Sequence, residues 1–183
     1  YNNIRQPNRN SLLWRDDSVD GLKTGHTEEA GYCLVASAKR NDTRLIAVVM
    51  GTDSTSSRAQ EVQKMLNYGF RYYQTERLFR AGQELLEARV WSGESDSLSV
   101  GLTEDVYVTI PRGSRDSLES TVELDSVIKA PISMGDELGQ VTVKLGDDVV
   151  VDQPVLALSD IPEGGFFKRI WDAIKLFFVQ LFE

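Results

Sequence analysis

The chain has 183 residues, with 20 Lys and Arg against 28 Asp and Glu, a net charge of −8, one cysteine and one histidine. This length suffices for one domain or two small ones, and a hydrophobic fraction of 41% is typical of a folded protein rather than a disordered one. A lone Cys33 excludes an internal disulfide framework, and a lone His26 argues against a histidine-built metal site. Net acidity argues against a nucleic-acid-binding protein, and we expect no cofactor.

The charge is distributed unevenly. Residues 1–75 carry 10 Lys and Arg and 8 Asp and Glu, residues 76–165 carry 7 and 18, and residues 166–183 carry 3 and 2. The three net charges of +2, −11 and +1 predict three segments with different roles. The chain begins with Tyr1 and has no signal-peptide pattern, so we expect either a processed chain or a piece of a longer protein.

The first segment, residues 1–75, predicts part of an α/β domain. Residues 1–31 are rich in Asn, Asp, Gly and Arg and indicate loop with short extended pieces. Two apolar runs, 32–39 and 44–50, flank a turn and predict an antiparallel hairpin, with the second strand buried on both faces. Ser57 and Gln60 fit a capping box, and apolar residues at helical spacing extend the predicted helix to about Tyr73.

The second segment, residues 76–165, predicts a small all-β domain. Short β-branched runs recur between Gly, Pro and Asp residues, at 106–110, 120–124, 140–144, 149–151 and 155–158. The predicted fold class is therefore an incomplete α/β domain, then a small all-β domain, then a C-terminal helix.

The last segment, residues 166–183, predicts an amphipathic helix. Its charged residues fall mostly on one side, and they are too many for a transmembrane span. One interpretation is a helix packed on the β domain; the other is a helix lying in a membrane interface, with 162–165 as a flexible joint. In the second interpretation the membrane-binding residues are Phe166, Phe167, Lys168, Arg169, Ile170, Trp171, Lys175, Phe177 and Phe178.

The stretch that carries chemistry is Lys23-Thr24-Gly25, which precedes or begins a strand. Lysine supplies a fixed positive charge, threonine a hydroxyl donor, and glycine lets a ligand approach the backbone. These residue types together favour a carboxylate or oxyanion site, and an exposed turn is the alternative. K-T-G is also one of three motifs of the active-site serine penicillin-recognising enzymes.

Wider stretches strengthen that link, because residues 3–10, 12–14, 19–27, 30–32 and 34–38 closely resemble the low-molecular-mass penicillin-binding proteins. These are serine-type D-alanyl-D-alanine carboxypeptidases of the bacterial envelope. The resemblance spans the whole chain, since a β-rich domain and an amphipathic membrane helix follow in that family too. It implies a transpeptidase/beta-lactamase-like domain over 1–75 and a peripheral location at the periplasmic face of the inner membrane.

The resemblance also implies roles for individual residues. Lys23 and Thr24 would bind the terminal carboxylate of a peptidoglycan stem peptide ending in D-Ala-D-Ala, and the backbone N–H of His26, just after Gly25, would lend an oxyanion-hole donor. Beta-lactams would bind the same site. Arg9 and Arg58 match family arginines near the site; the alternative for both is a solvated or salt-bridged arginine. The His26 side chain has no Asp partner in an evident motif, so a triad base role is not expected.

The nucleophile of the family is missing from this sequence. The family needs S-x-x-K and S-x-N before K-T-G, and no S-x-N occurs. The one S-x-x-K, Ser126 to Lys129, comes about 100 residues after K-T-G and is interpreted as coincidence. We therefore expect the C-terminal part of such an enzyme, inactive alone and with no catalytic residue of its own. The alternatives are a non-catalytic membrane-surface β module that positions a partner in the cell envelope, and an unrelated small-molecule-binding domain.

Overall fold

The computed structural model describes residues 5–182. The described chain is mostly β-structure with two α-helices. It divides into two compact units. The first comprises Tyr1–Glu76 and Thr109–Gly113, and the second comprises Arg77–Val108 and Ser114–Glu183. The division of the chain into 1–75, 76–165 and 166–183 stays a prediction.

The first unit is a three-stranded antiparallel sheet with a helix. After a short 3-10 helix at Ser11–Trp14, its elements are β1 (Val19–Thr27), β2 (Gly31–Arg40), β3 (Thr43–Thr52) and α1 (Thr55–Tyr72). The strand order is β1-β2-β3. The predicted hairpin is confirmed, because β2 pairs with β3 in antiparallel register from Tyr32↔Thr52 to Arg40↔Thr43.

The burial predicted for β3 is wrong. Leu45, Ala47 and Val49 turn towards the core that the sheet shares with α1, whereas Ile46 and Met50 are 62% and 73% exposed. Because side chains alternate along a strand, and the described helix and 3-10 turn contribute core residues to one face, only that face is buried.

Helix α1 begins three residues earlier than the capping-box prediction. Its N-cap is Ser54, whose Oγ accepts a hydrogen bond from the Ser57 backbone N–H at 3.0 Å, so Ser57 is not the cap. Val62 and Leu66 on its buried face pack with Leu34 and small alanines of the sheet, which allow helix and sheet to approach closely.

The larger correction in this unit concerns residues 1–31. They contain the nine-residue strand β1, paired with β2 from Val19↔Ala38 to Thr27↔Gly31, where the composition suggested mainly loop. K-T-G therefore lies in the middle of a strand next to β2.

The second unit contains a β module, defined here as 77–108 and 114–165, followed by the second helix. Six strands form one sheet: β5 (Glu84–Trp91), β6 (Ser97–Gly101), β8 (Leu118–Leu124), β9 (Ile128–Lys129), β10 (Glu137–Leu145) and β11 (Asp148–Ala157). Their order in the sheet is β8-β10-β11-β6-β5-β9. The predicted runs 149–151 and 155–158 belong to one strand, β11. Val100, Val141 and Val155 are fully buried in this sheet.

A two-stranded ribbon of β4 (Tyr73–Phe79) and β7 (Val106–Pro111) completes the β-structure, and its residues are divided between the two units. Helix α2 (Phe166–Phe182) ends the described chain. Within residues 5–182, no helix is long and apolar enough to cross a membrane.

The segment before α2 forms backbone hydrogen bonds with the rest of the β module. These bonds correct the expectation of a flexible joint at 162–165. The Glu94 N–H donates to the Pro162 carbonyl at 2.9 Å, and the Gly164 N–H donates to the Ser92 carbonyl at 2.8 Å. Ile161 exchanges two backbone hydrogen bonds with Ile132.

Candidate functional site

K-T-G lies on β1, an edge strand of the three-stranded sheet. Lys23 is opposite Val35, Thr24 is opposite Leu34, and Gly25 is opposite Cys33 in the register. Successive residues of a strand point to opposite faces, so Lys23 and Thr24 lie on different sides of the sheet. The Lys23 ammonium is exposed and donates a hydrogen bond to the Thr24 carbonyl.

The structure brings five of the six predicted substrate-binding residues to one cavity of about 360 Å³ in the first unit. Its lining is Arg9, Thr24, Gly25, His26, Tyr32, Thr55 and Arg58. The remaining predicted residue, Lys23, does not line this cavity. The His26 ring contacts the Tyr32 ring, with centroids 4.0 Å apart and planes tilted by 42°, so the two rings form an aromatic wall of the cavity near the end of β1.

Arg58 is buried rather than solvated, and among residues 5–182 it has no salt bridge. Its side chain is buried, and the guanidinium donates to the carbonyls of Gly25 at 3.2 Å, Cys33 at 3.3 Å and Arg9 at 3.3 Å. One side chain on the first turns of α1 thus holds three chain segments at the cavity. The planar, multi-donor guanidinium suits this task better than an ammonium.

Asn10 is a buried residue at this site that the sequence analysis missed. Its side-chain amide donates to the Gly21 carbonyl at 3.2 Å, and its oxygen accepts from the Leu12 N–H at 3.1 Å. Asn10 therefore fixes the segment carrying Arg9 against the start of β1. The available signal was Asn10-Ser11 before the apolar run 12–14, since asparagine is a typical helix N-cap.

The S-x-x-K sequence has no helical geometry. Ser126 lies in a bend and Lys129 ends the two-residue strand β9, so the motif does not begin a helix. Among the residues that the structure describes, no group of three or more His, Cys, Asp or Glu side chains is arranged to hold a metal ion.

The predicted membrane-binding residues lie on α2, and the structure separates them into two sets. The apolar set is exposed, at 44% to 86%: Phe166, Phe167, Ile170, Trp171, Ile174, Phe177 and Phe178. Ile174 was not among the predicted residues. Of the cations, Lys168 pairs with Asp96 at 2.8 Å and Arg169 pairs with Glu163 at 2.5 Å. Lys175 lies over the Trp171 ring, 5.6 Å from its centroid.

Comparison with known proteins gives two family matches. Residues 1–54 match the D-alanyl-D-alanine carboxypeptidase family, and residues 73–163 match the C-terminal domain of penicillin-binding protein 5. The chain is 43% identical to the D-alanyl-D-alanine carboxypeptidase DacA of Escherichia coli, over 100% of the chain and 46% of that protein. It is 34% identical to DacF of Bacillus subtilis, over 87% of the chain and 41% of that protein.

Solved structures agree with these matches. Penicillin-binding protein 5 from Haemophilus influenzae has a TM-score of 0.81 and 39% identity, covering 89% of this chain and 48% of that one. The chain spans about half the length of the curated relatives it matches. Over that length, both the sequence and the fold place it in the low-molecular-mass, serine-type D-alanyl-D-alanine carboxypeptidase family, of which it represents the C-terminal portion.

Proposed function

We propose that this chain supplies the carboxylate-binding and oxyanion-binding side of a D-alanyl-D-alanine carboxypeptidase site. The observation that carries the proposal is the cavity at the edge of β1, which gathers Thr24, His26 and Arg58. A hydroxyl, a strand backbone and a nearby guanidinium are the groups that bind a carboxylate and a developing oxyanion. Family membership makes a peptide ending in D-Ala-D-Ala the substrate.

The proposed reaction needs a nucleophile that these residues do not supply. A serine from an S-x-x-K motif elsewhere in the complete polypeptide attacks the penultimate peptide carbonyl of the stem peptide. The oxyanion of the tetrahedral intermediate accepts from the His26 backbone N–H, while Thr24, which lines the cavity, holds the terminal carboxylate. The terminal D-Ala leaves, and water hydrolyses the acyl-serine. Penicillin acylates the same serine.

Covalent labelling with fluorescent penicillin tests this proposal. We expect the complete polypeptide to be labelled, and this chain alone to remain unlabelled. Thr24→Val in the complete polypeptide should slow labelling by about 100-fold, the size typical of a lost oxyanion or carboxylate donor. Lys39→Ala, at an exposed lysine on β2 outside the cavity, is the control and should label at the normal rate. An unlabelled complete polypeptide would contradict the proposal.

We also propose that α2 is an amphipathic helix that binds the surface of a bilayer, as part of an envelope enzyme at the periplasmic face of the inner membrane. The exposed apolar residues of α2 support this, because large apolar patches on a protein surface indicate binding to a partner or a lipid interface. Deleting residues 166–183 should release the protein from liposomes in a cosedimentation assay. Equal cosedimentation with and without the segment would contradict membrane binding through α2.

A further inference from the structure

Helix α2 faces the β module with its polar side. Its three least exposed side chains between 166 and 180 are Lys168, Asp172 and Leu176, which are spaced four residues apart and so form one strip. The exposed apolar residues defined above form a second strip. At about 100° per residue, this apolar strip spans roughly 140° and is centred roughly 170° from Asp172. The contact strip and the apolar strip are thus on opposite sides of the helix.

The contact between α2 and the β module is built around a buried carboxylate. Asp172 is 5% exposed, and its Oδ2 accepts a hydrogen bond from the Ser92 backbone N–H at 3.0 Å. Ser92 is also buried and has a φ of 59°, an uncommon conformation for a residue other than glycine. A buried carboxylate needs such a hydrogen bond, so this contact is specific.

Further groups hold the same surfaces together. The Lys168 ammonium pairs with Asp96 and donates to the Glu94 carbonyl at 3.3 Å. The backbones of Gly93 and Gly164 approach so closely that a Cβ built on Gly164 would lie 2.6 Å from the Gly93 oxygen. The loop between β5 and β6 is therefore shaped to receive the start of α2.

These contacts determine which side chains of α2 remain available to contact a membrane. The two cations nearest the start of α2 form salt bridges with carboxylates of the β module: Lys168 pairs with Asp96, and Arg169 pairs with Glu163. Lys175 remains at the edge of the apolar strip, over Trp171. The outward surface of α2 is accordingly apolar and aromatic, with one lysine at its border.

Resting on the proposed membrane binding, we infer that α2 stays clamped to the β module on the bilayer, so that helix and module dock as one rigid body. The clamp consists of Asp172 on Ser92, Lys168 on Asp96, and the Gly93–Gly164 backbone contact. The partner is the headgroup and acyl boundary of a bilayer, which aromatic and aliphatic side chains enter without needing headgroup charge. Zwitterionic and anionic bilayers are bound alike.

A distance measurement tests whether the clamp persists on the membrane. The chain carries Cys33→Ser, with spin labels at Ser120→Cys on β8 and at Gln180→Cys on α2, all three at positions outside the clamp. We expect one narrow distance distribution in solution, and the same distribution on vesicles of phosphatidylcholine. Asp172→Ala should broaden it at least twofold, and Asp172→Asn, which keeps an acceptor oxygen, should largely restore it. A broad distance distribution on vesicles for the spin-labelled chain with Asp172 unchanged would overturn the inference.

Vesicle composition gives the second readout. We expect binding to phosphatidylcholine vesicles and to vesicles with one quarter phosphatidylglycerol to differ by less than about threefold, because the paired cations contribute little to either. Binding that requires the anionic lipid, or that is lost in Arg169→Gln, at a paired cation outside the clamp, would overturn the inference while leaving membrane binding intact. Absence of binding to either vesicle, or self-association through the apolar strip instead, would overturn the proposed membrane function and this inference with it.

Discussion

Asp16 is a carboxylate that connects three parts of the first unit. It accepts hydrogen bonds from the Ser18 backbone N–H at 2.9 Å, from Arg40 at 2.9 Å and from Gln63 at 2.8 Å, and so joins the turn before β1 to β2 and α1. Burial by itself would raise the pKa of Asp16, but the hydrogen bonds from Ser18 and Gln63 and the charge of Arg40 outweigh it and lower the pKa to about 2.

The lowered pKa of Asp16 predicts an acid-sensitive first unit. Because the folded-state pKa lies below the ordinary value of 3.8, the stabilisation is complete above about pH 4 and is lost as the pH falls towards 2. We expect on the order of 1 kcal/mol of unfolding free energy to disappear over this range. Asp16→Asn should flatten that dependence in urea titrations at several pH values. Asp17→Asn, at an exposed neighbour, should keep it; an unchanged acid dependence in Asp16→Asn would contradict the prediction.

The buried Arg58 gives a second prediction at the scale of a single residue, which concerns the stability of the first unit. Its guanidinium satisfies the carbonyls of Gly25, Cys33 and Arg9, and an ammonium cannot reach all three in the same geometry. We expect Arg58→Lys to lower the free energy of unfolding of the first unit by about 1–3 kcal/mol, the cost of buried groups left without partners. Arg71→Lys at the exposed end of α1 should change it by less than about 0.5 kcal/mol. Equal effects of the two variants in urea denaturation would contradict a positioning role for Arg58.

At the scale of elements, local information decided what could be predicted. Strands β2 and β3 and helix α1 have apolar periodicity of their own, so their existence followed from the sequence. Strand β1 contains Asp20, Gly21 and Gly25, which are poor strand formers, and its extended structure comes from pairing with β2, a long-range interaction. The runs 149–151 and 155–158 were predicted as separate strands, but Pro154 between them lies where β6 does not pair with β11, so the strand continues past it.

At the candidate sites, too, local sequence patterns could be predicted and long-range contacts could not. Motif resemblance indicated the residues around β1, and five of six lie at one cavity. The burial of Arg58 depends on three segments meeting in space and has no signature in the local sequence. For α2, the helical wheel shows which residues share a side but not which side faces the protein. The available sequence signal was Leu176, an apolar residue among the charged positions of the wheel, and the structure shows it half-buried.

The junction before α2 gives a matched pair of glycine substitutions. A Cβ on Gly164 would meet the Gly93 backbone, with its oxygen at 2.6 Å and its carbon at 3.1 Å, whereas a Cβ on Gly165 has nothing within 4 Å. We expect Gly164→Ala to destabilise the second unit by about 1–3 kcal/mol, because backbone must shift. Gly165→Ala should stay within about 0.5 kcal/mol of the unchanged chain in thermal denaturation. Comparable stability of the two variants would contradict the close packing of this junction.

At the scale of the whole molecule, the described residues leave one face of β3 exposed. Ile46 and Met50 are exposed on that face, with Val48 between them at 47%. A row of apolar side chains on a sheet usually packs against another layer. Because the relatives are about twice as long as this chain, we expect the remaining part of the complete polypeptide to cover this face.

One double substitution should affect the stability of this chain and of the complete polypeptide differently. In this chain, Ile46→Thr with Met50→Gln should reduce binding of a hydrophobic dye while changing the free energy of unfolding by less than about 0.5 kcal/mol, since both side chains are already in water. In the complete polypeptide, the same change should cost about 2 kcal/mol or more, because it removes buried apolar groups and buries polar ones. The deeply buried Leu66→Ala serves as the reference and should be costly in both lengths. A double variant equally harmless in both lengths would mean that this face of β3 stays exposed in the complete protein.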